Sequence, residues 1–132
     1  MATLYNHASA AETANGSSGT FLHQPAGRSR QRQVEGLEFS TLAALPVVVQ
    51  GNLSAQAGTN PTLQLVYETS WDGEVTWQQV WISAVLSTIA PIAAVVIGAG
   101  DRLLGPKGRL RWLIGGTAGP SVTFTASVNT VN

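Results

Sequence analysis

The chain has 132 residues, enough for one domain and too few for two independent cores, and its seven basic and seven acidic side chains leave no formal net charge. No global field draws it to nucleic acid, an anionic membrane or an acidic substrate, and the lack of cysteine excludes disulfides and thiolate metal sites. Only 11% of the residues are charged against 44% hydrophobic, so much of the surface falls to Ser, Thr, Asn, Gln, Gly and Ala, a composition suited to a protein packed against neighbours.

The first element is an extended N-terminal arm, residues 1–33, rich in Ala, Ser, Gly, Asn and Gln and without a sustained helical or strand period. It lacks a basic stretch followed by an apolar one, so no secretory signal is expected and synthesis and retention in a cytoplasm are. Too little apolar area is present to offset its ordering entropy, which predicts that contact with its own body or with neighbouring subunits orders it and that the body folds without it. Within "GRSRQRQ", Arg28, Arg30 and Arg32 recur at period two and share one face of an extended chain. Three readings follow: a solvated edge, a phosphate or nucleic-acid patch that lacks interleaved aromatics, and a row of donors for the carboxylates of an adjacent subunit. The only histidines, His7 and His23, lie in this arm without metal-ligand spacing.

From Val34 to the end, residues 34–132, the pattern is that of a β body. "LEFSTLAAL" (37–45) alternates weakly, "PVVVQGNLSAQ" (46–56) reads as a strand bent at Gly51, and "AGTNP" reads as a turn. "TLQLVYETS" alternates cleanly, with Leu63, Leu65, Tyr67 and Thr69 on one face, and "WDGE" after it is a strong hairpin signal. Asp72 and Gly73 are the predicted turn residues.

That turn sits in a stretch with three carboxylates, Glu68, Asp72 and Glu74, and three tryptophans, Trp71, Trp77 and Trp81. A glycosidase needs two carboxyl groups in contrasting environments. A hairpin tip is solvated and raises neither pKa, and Asp has a sufficient structural reason to be there. The tryptophans could stack on a sugar; the even spacing of Trp77 and Trp81 predicts a shared strand face, as in a core or an interface.

"VWISAVLSTIAPIAAVVIGAG", residues 80–100, is uncharged and long enough to span a bilayer as a helix. Pro91 at its middle and its β-branched residues favour two strands with a turn near Pro91, making a membrane role the weaker reading. "GDRLLGPKG" then reads as a loop, "RLRWLIGG" as a strand with Arg109 and Arg111 on one face, and "PSVTFTASV" as the closing strand; Trp112 and Phe124 are the predicted core residues. No nucleophile elbow, phosphate-cradling loop or dinucleotide fingerprint is present, so no catalytic, cofactor or metal site is expected. The fold class expected is an all-β, antiparallel, jelly-roll-like β-sandwich with the N-terminal arm attached.

"AGTNPTLQLVYETSWDGEVTWQQV" and "GPKGRLRWLIGGTAGPSVTFTASV" resemble a pattern in small β-sandwich virion proteins of tailed bacteriophages, over about residues 35–128. The resemblance implies a structural role in the virion, favouring a capsid decoration or cement protein that binds and stabilises the head. A tail or fibre component, a carbohydrate-binding adhesin module and, behind these, a small holin-like membrane protein are the alternatives. The implied partners are the major capsid protein or other virion proteins and further copies of the chain, a homo-oligomer for which analogy favours a trimer, with no specific nucleic acid. Arg28, Arg30, Arg32, Trp71, Trp77 and Trp81 are then the candidate interface residues.

Overall fold

The computed structural model describes residues 2–24, 44–99 and 103–131. The strands are β1 (Thr3–Glu12), β2 (Gly16–Ser17), β3 (Phe21–Leu22), β4 (Val47–Ser70), β5 (Gln78–Ile82), β6 (Ala90–Ile97) and β7 (Lys107–Thr130). There is no helix among the described residues. The strands form one antiparallel sheet in the order β1-β7-β4-β5, with β2 and β3 also pairing with β7 and β6 with β4.

The spine is the ladder between β4 and β7, which runs from Val47↔Thr130 to Ser70↔Lys107. "AGTNP", expected as a turn, instead lies opposite "GGTAGP", and pairing continues across them through Ala57↔Ser121, Thr59↔Thr117 and Thr62↔Gly115. Positive φ at Gly58 and Asn60 on one strand and at Gly116, Ala118 and Gly119 on the other absorbs the bend, with register shifts on either side. These turn residues therefore kink the ribbon without ending it.

The kink is sharp. Trp112 and Phe124 are twelve positions apart on β7, about 40 Å in a straight strand, yet their ring centroids are 5.6 Å apart. The ribbon is doubled over, and its two arms press their apolar faces together. Leu63, Leu65, Tyr67 and Leu110 from one arm, and Val47, Val49, Leu53, Val122, Phe124 and Val128 from the other, are fully buried there. Each such side chain contributes roughly 1.5–3 kcal/mol relative to exposure.

The N-terminal residues belong to this sheet. β1 pairs with β7 from Thr3↔Asn129 to Glu12↔Val122. The buried His7 ring stacks on Phe124 at 4.3 Å and lies 4.8 Å from Trp112, while Phe21 packs beside Tyr5 and Tyr67. Residues 2–24 of the expected arm are thus strands and links of the sheet itself. The Leu45 N–H donates to the Gln24 carbonyl at 2.7 Å, so the chain on either side of residues 25–43 is joined at one point. The predicted boundary at Val34, residues 37–43 of the predicted strand 37–45, and Arg28, Arg30 and Arg32 lie outside the described residues.

The apolar run is not a helix, and no described helix is long and apolar enough to cross a membrane. The expected turn near Pro91 does not form: β5, an isolated bridge between Leu86 and Leu63, and β6 follow one another antiparallel along β4, with residues 83–89 as the link. Pro91 is the second residue of β6, whose one strand partner among the described residues is β4, an edge position where a missing N–H is tolerated.

His23 fastens the segment after β3. Its Nδ1–H donates to the Gly105 carbonyl at 2.7 Å and its Nε2 accepts from the Tyr67 hydroxyl at 2.6 Å. Gly108 makes room, since a Cβ there would run into the imidazole. Burial lowers the His23 pKa from 6.5, partly countered by the Gly105 carbonyl, and raises that of the Tyr67 phenol. Because the folded pKa lies below the unfolded one, the unfolded chain binds the proton more readily in acid. The stability His23 confers is whole above about 6.5 and is lost as pH falls through the folded pKa. The thermal midpoint should therefore drop between pH 7 and pH 5, and His23→Gln, though less stable at pH 7, should show a flatter profile. An unchanged slope in that variant would assign the proton uptake to another group.

Candidate interaction surface

The residues between Tyr67 and Ser83 form the end of β4, a tight loop and β5, and each carboxylate there has its own local partners. Asp72 caps the loop: Oδ1 accepts from the Ser70 hydroxyl and the Thr76 N–H, both at 2.9 Å, and Oδ2 accepts from the Thr76 hydroxyl at 2.5 Å. Gly73 and Glu74 follow with φ of 72° and 75°. The Thr76 hydroxyl, then its amide, hold the Asp72 carboxyl down to about 2, with Ser70 adding to the effect.

Glu74 accepts from Lys107 Nζ at 3.0 Å and from the Thr20 hydroxyl at 2.9 Å, contacts that lower its pKa. Glu68 lies across the ladder from Arg109, and its two oxygens take the Arg109 Nε at 2.6 Å and the Arg111 Nη1 at 2.9 Å. Period two along β7 puts Lys107, Arg109 and Arg111 on one face, so three cations clamp two carboxylates from the β4 hairpin. No two of these carboxylates hydrogen-bond the same side chain, and none of their resolved pKa shifts is upward, as a general acid would need.

The tryptophans separate into three environments. Trp71 is 40% exposed and lies against Gly105, Trp77 is covered by the Arg109 guanidinium at 4.1 Å from the ring centroid, and Trp81 packs on the core opposite Tyr67. The shared face expected for Trp77 and Trp81 does not form: Trp77 precedes β5, and a register shift follows Tyr67 on the paired strand. Trp112 and Phe124 are buried, at 6% and 0% exposure. Among the described residues no cluster of three or more His, Asp or Glu is placed to hold a metal.

No protein-family model and no curated protein matches this chain. What the surface does offer is an uncharged flank. No charged residue occurs between Glu74 and Asp101. This stretch supplies β5 and β6, each with β4 as its one strand neighbour among the described residues, and it exposes Ile82, Val85, Ile89 and Val96. Sequence reasoning fixed on the tryptophans and passed over these four aliphatic residues, although the charge-free run was legible as such. A second apolar group, Leu22, Trp71, Val75 and Leu103, is exposed near the end where β3, the 71–77 loop and the start of β7 meet.

Asp72→Asn should fold with a nearly unchanged thermal midpoint at neutral pH. The amide oxygen can still accept from Ser70 and the Thr76 amide, and Asn tolerates the same turn. A large drop would mean that the second Asp72 oxygen, facing the Thr76 hydroxyl, carries the loop.

Proposed function

We propose that this chain is a structural protein of a tailed-phage virion, a capsid decoration or cement protein whose work is to bind the head and stabilise it. In this reading the doubled ribbon is a jelly-roll-like β-sandwich, and copies of it, three by analogy with such proteins, contact one another and the major capsid protein. The observation that carries the proposal is the charge-free flank from Val75 to Gly100 with Ile82, Val85, Ile89 and Val96 exposed on it. Solvated edges are ordinarily protected by charge, and exposed apolar surface of this kind marks contact with another protein. The engagement of Glu68, Asp72 and Glu74 with neighbouring side chains supports a binding role over hydrolysis.

The test is to add purified protein to heads assembled without it and image them. Regular density on the head and a higher temperature of head disruption are expected. Density confined to the tail or fibres would transfer the role there, and no density on any particle would end the virion reading. An adhesin using the tryptophans fits less well, since Arg109 covers Trp77, Trp81 packs on the core, and Trp71 is the one exposed tryptophan of the three.

A further inference from the structure

The arm formed by β1, the end of β7, the start of β4 and β6 carries a hollow of about 530 Å³ on its solvent face. Two edge bulges flank it. Between His7↔Ala126 and Ala10↔Phe124, β1 advances three positions against two on β7; between Val49↔Val95 and Gly51↔Ile92, β6 advances three against two on β4. Each edge thus carries an extra residue beside the Gly51↔Ala126 row, and bulges bend their strands. At the floor, Gly51 has no room for a side chain, because a Cβ would strike the Thr125 carbonyl.

The walls hold Asn6, Gln50, Asn52, Thr125 and Ser127, with Pro91 and two alanines on the β6 side. Among the described residues no charged group lines the hollow. Neighbouring polar side chains of β4 are used internally: Ser54 donates to the Thr123 carbonyl, Gln56 to that of Ser87 and Gln64 to that of Ser83. Asn6, Gln50, Asn52 and Thr125 have no side-chain hydrogen bond within the described structure. Three primary amides and a hydroxyl therefore converge, unpaired, on one concavity with an apolar wall.

We infer that this hollow is a binding site for a neutral saccharide. Side-chain amides offer a donor and an acceptor side by side, which matches adjacent sugar hydroxyls, and the prolyl and alanyl wall suits the C–H face of a pyranose. An ionised sugar or phosphate would find no counter-charge. The volume is within the range of small-ligand sites. The site lies apart from the tryptophans and adds a second activity to an attachment protein, a hold on a glycan surface.

The experiment presents the full-length protein with a panel of glucose-, galactose- and N-acetylhexosamine-based oligosaccharides beside sialylated and uronic-acid ones, read by saturation-transfer NMR and calorimetry. Binding to one or more neutral members is expected. Asn52→Ala with Gln50→Ala should weaken it at least tenfold, Ala94→Trp should block it by filling the hollow, and Trp71→Ala should leave it unchanged, all with wild-type circular dichroism. Absence of neutral binding at millimolar sugar, preference for acidic members, or loss through Trp71→Ala and not through the hollow variants would each overturn the inference. Capsid attachment of the same variants is scored separately: its loss in the hollow variants would make this face a protein interface and overturn the inference, whereas failure of every variant and the wild type to attach leaves the saccharide result standing and removes the virion role.

Discussion

Phe124→Ala lowers the stability of the protein by about 3–5 kcal/mol, the range for truncating a buried aromatic ring. The side chain is fully buried where the ribbon's two arms meet, stacked on His7 at 4.3 Å and edge-on to Trp112 at 5.6 Å. Truncation leaves a cavity that the arms cannot close independently, because each is held in register by the same ladder. Against a typical total of about 5–15 kcal/mol for a domain, the loss shows as a large fall in urea midpoint with little change in slope. Trp112→Ala belongs to the same range. An unmoved midpoint in the Phe124 variant would mean that the arms do not pack through this ring.

Deleting residues 2–24 has a greater effect and abolishes cooperative folding. The deletion strips β1, β2 and β3 from β7, leaving one side of that strand unpaired from Lys107 to Thr130. It also removes His7 from between Trp112 and Phe124, Phe21 from beside Tyr67, and the imidazole that accepts the Tyr67 hydroxyl. An unpaired buried hydroxyl alone costs about 1–3 kcal/mol. Circular dichroism should show loss of a sharp thermal transition, and a synthetic 2–24 peptide added in excess should restore one. A truncated chain that melts cooperatively without the peptide would return these residues to the status of an appendage.

The contrast between those variants explains what could be read from sequence. Alternation in "TLQLVYETS" and "SVTFTASV" identified Leu63, Leu65, Tyr67 and Phe124 as one-faced, because period two acts on every residue of a half-buried strand. β1 shows no such signal: its fully buried contribution is His7, a residue that composition counts as polar, and its two bulges break the alternation. Turn chemistry in "AGTNP" and "GGTAGP" was visible, but whether two such stretches end strands or face each other across a kink is a property of pairing that neither contains alone. The Glu68 contacts with Arg109 and Arg111 link residues more than forty positions apart, beyond any local pattern. The hollow was hidden for the same reason, since its amides and hydroxyl come from three strands.

The ladder between β4 and β7 also sets an order of assembly. Its inner end joins Ser70 to Lys107, and its outer end joins Val47 to Thr130, so the first pairing closes a loop less than half as long as the last. Loop-closure entropy separates the two by only about 0.7 kcal/mol, but each pair formed brings the next within reach, so growth from the inner end replaces one long search by many short ones. Every other described strand docks onto a ribbon that must already exist, and β1, β2 and β3, which precede β7 in the chain, wait for it as their partner. Such a sheet folds at a pace governed by non-local pairing, and its unzipping on heating should begin at Thr130.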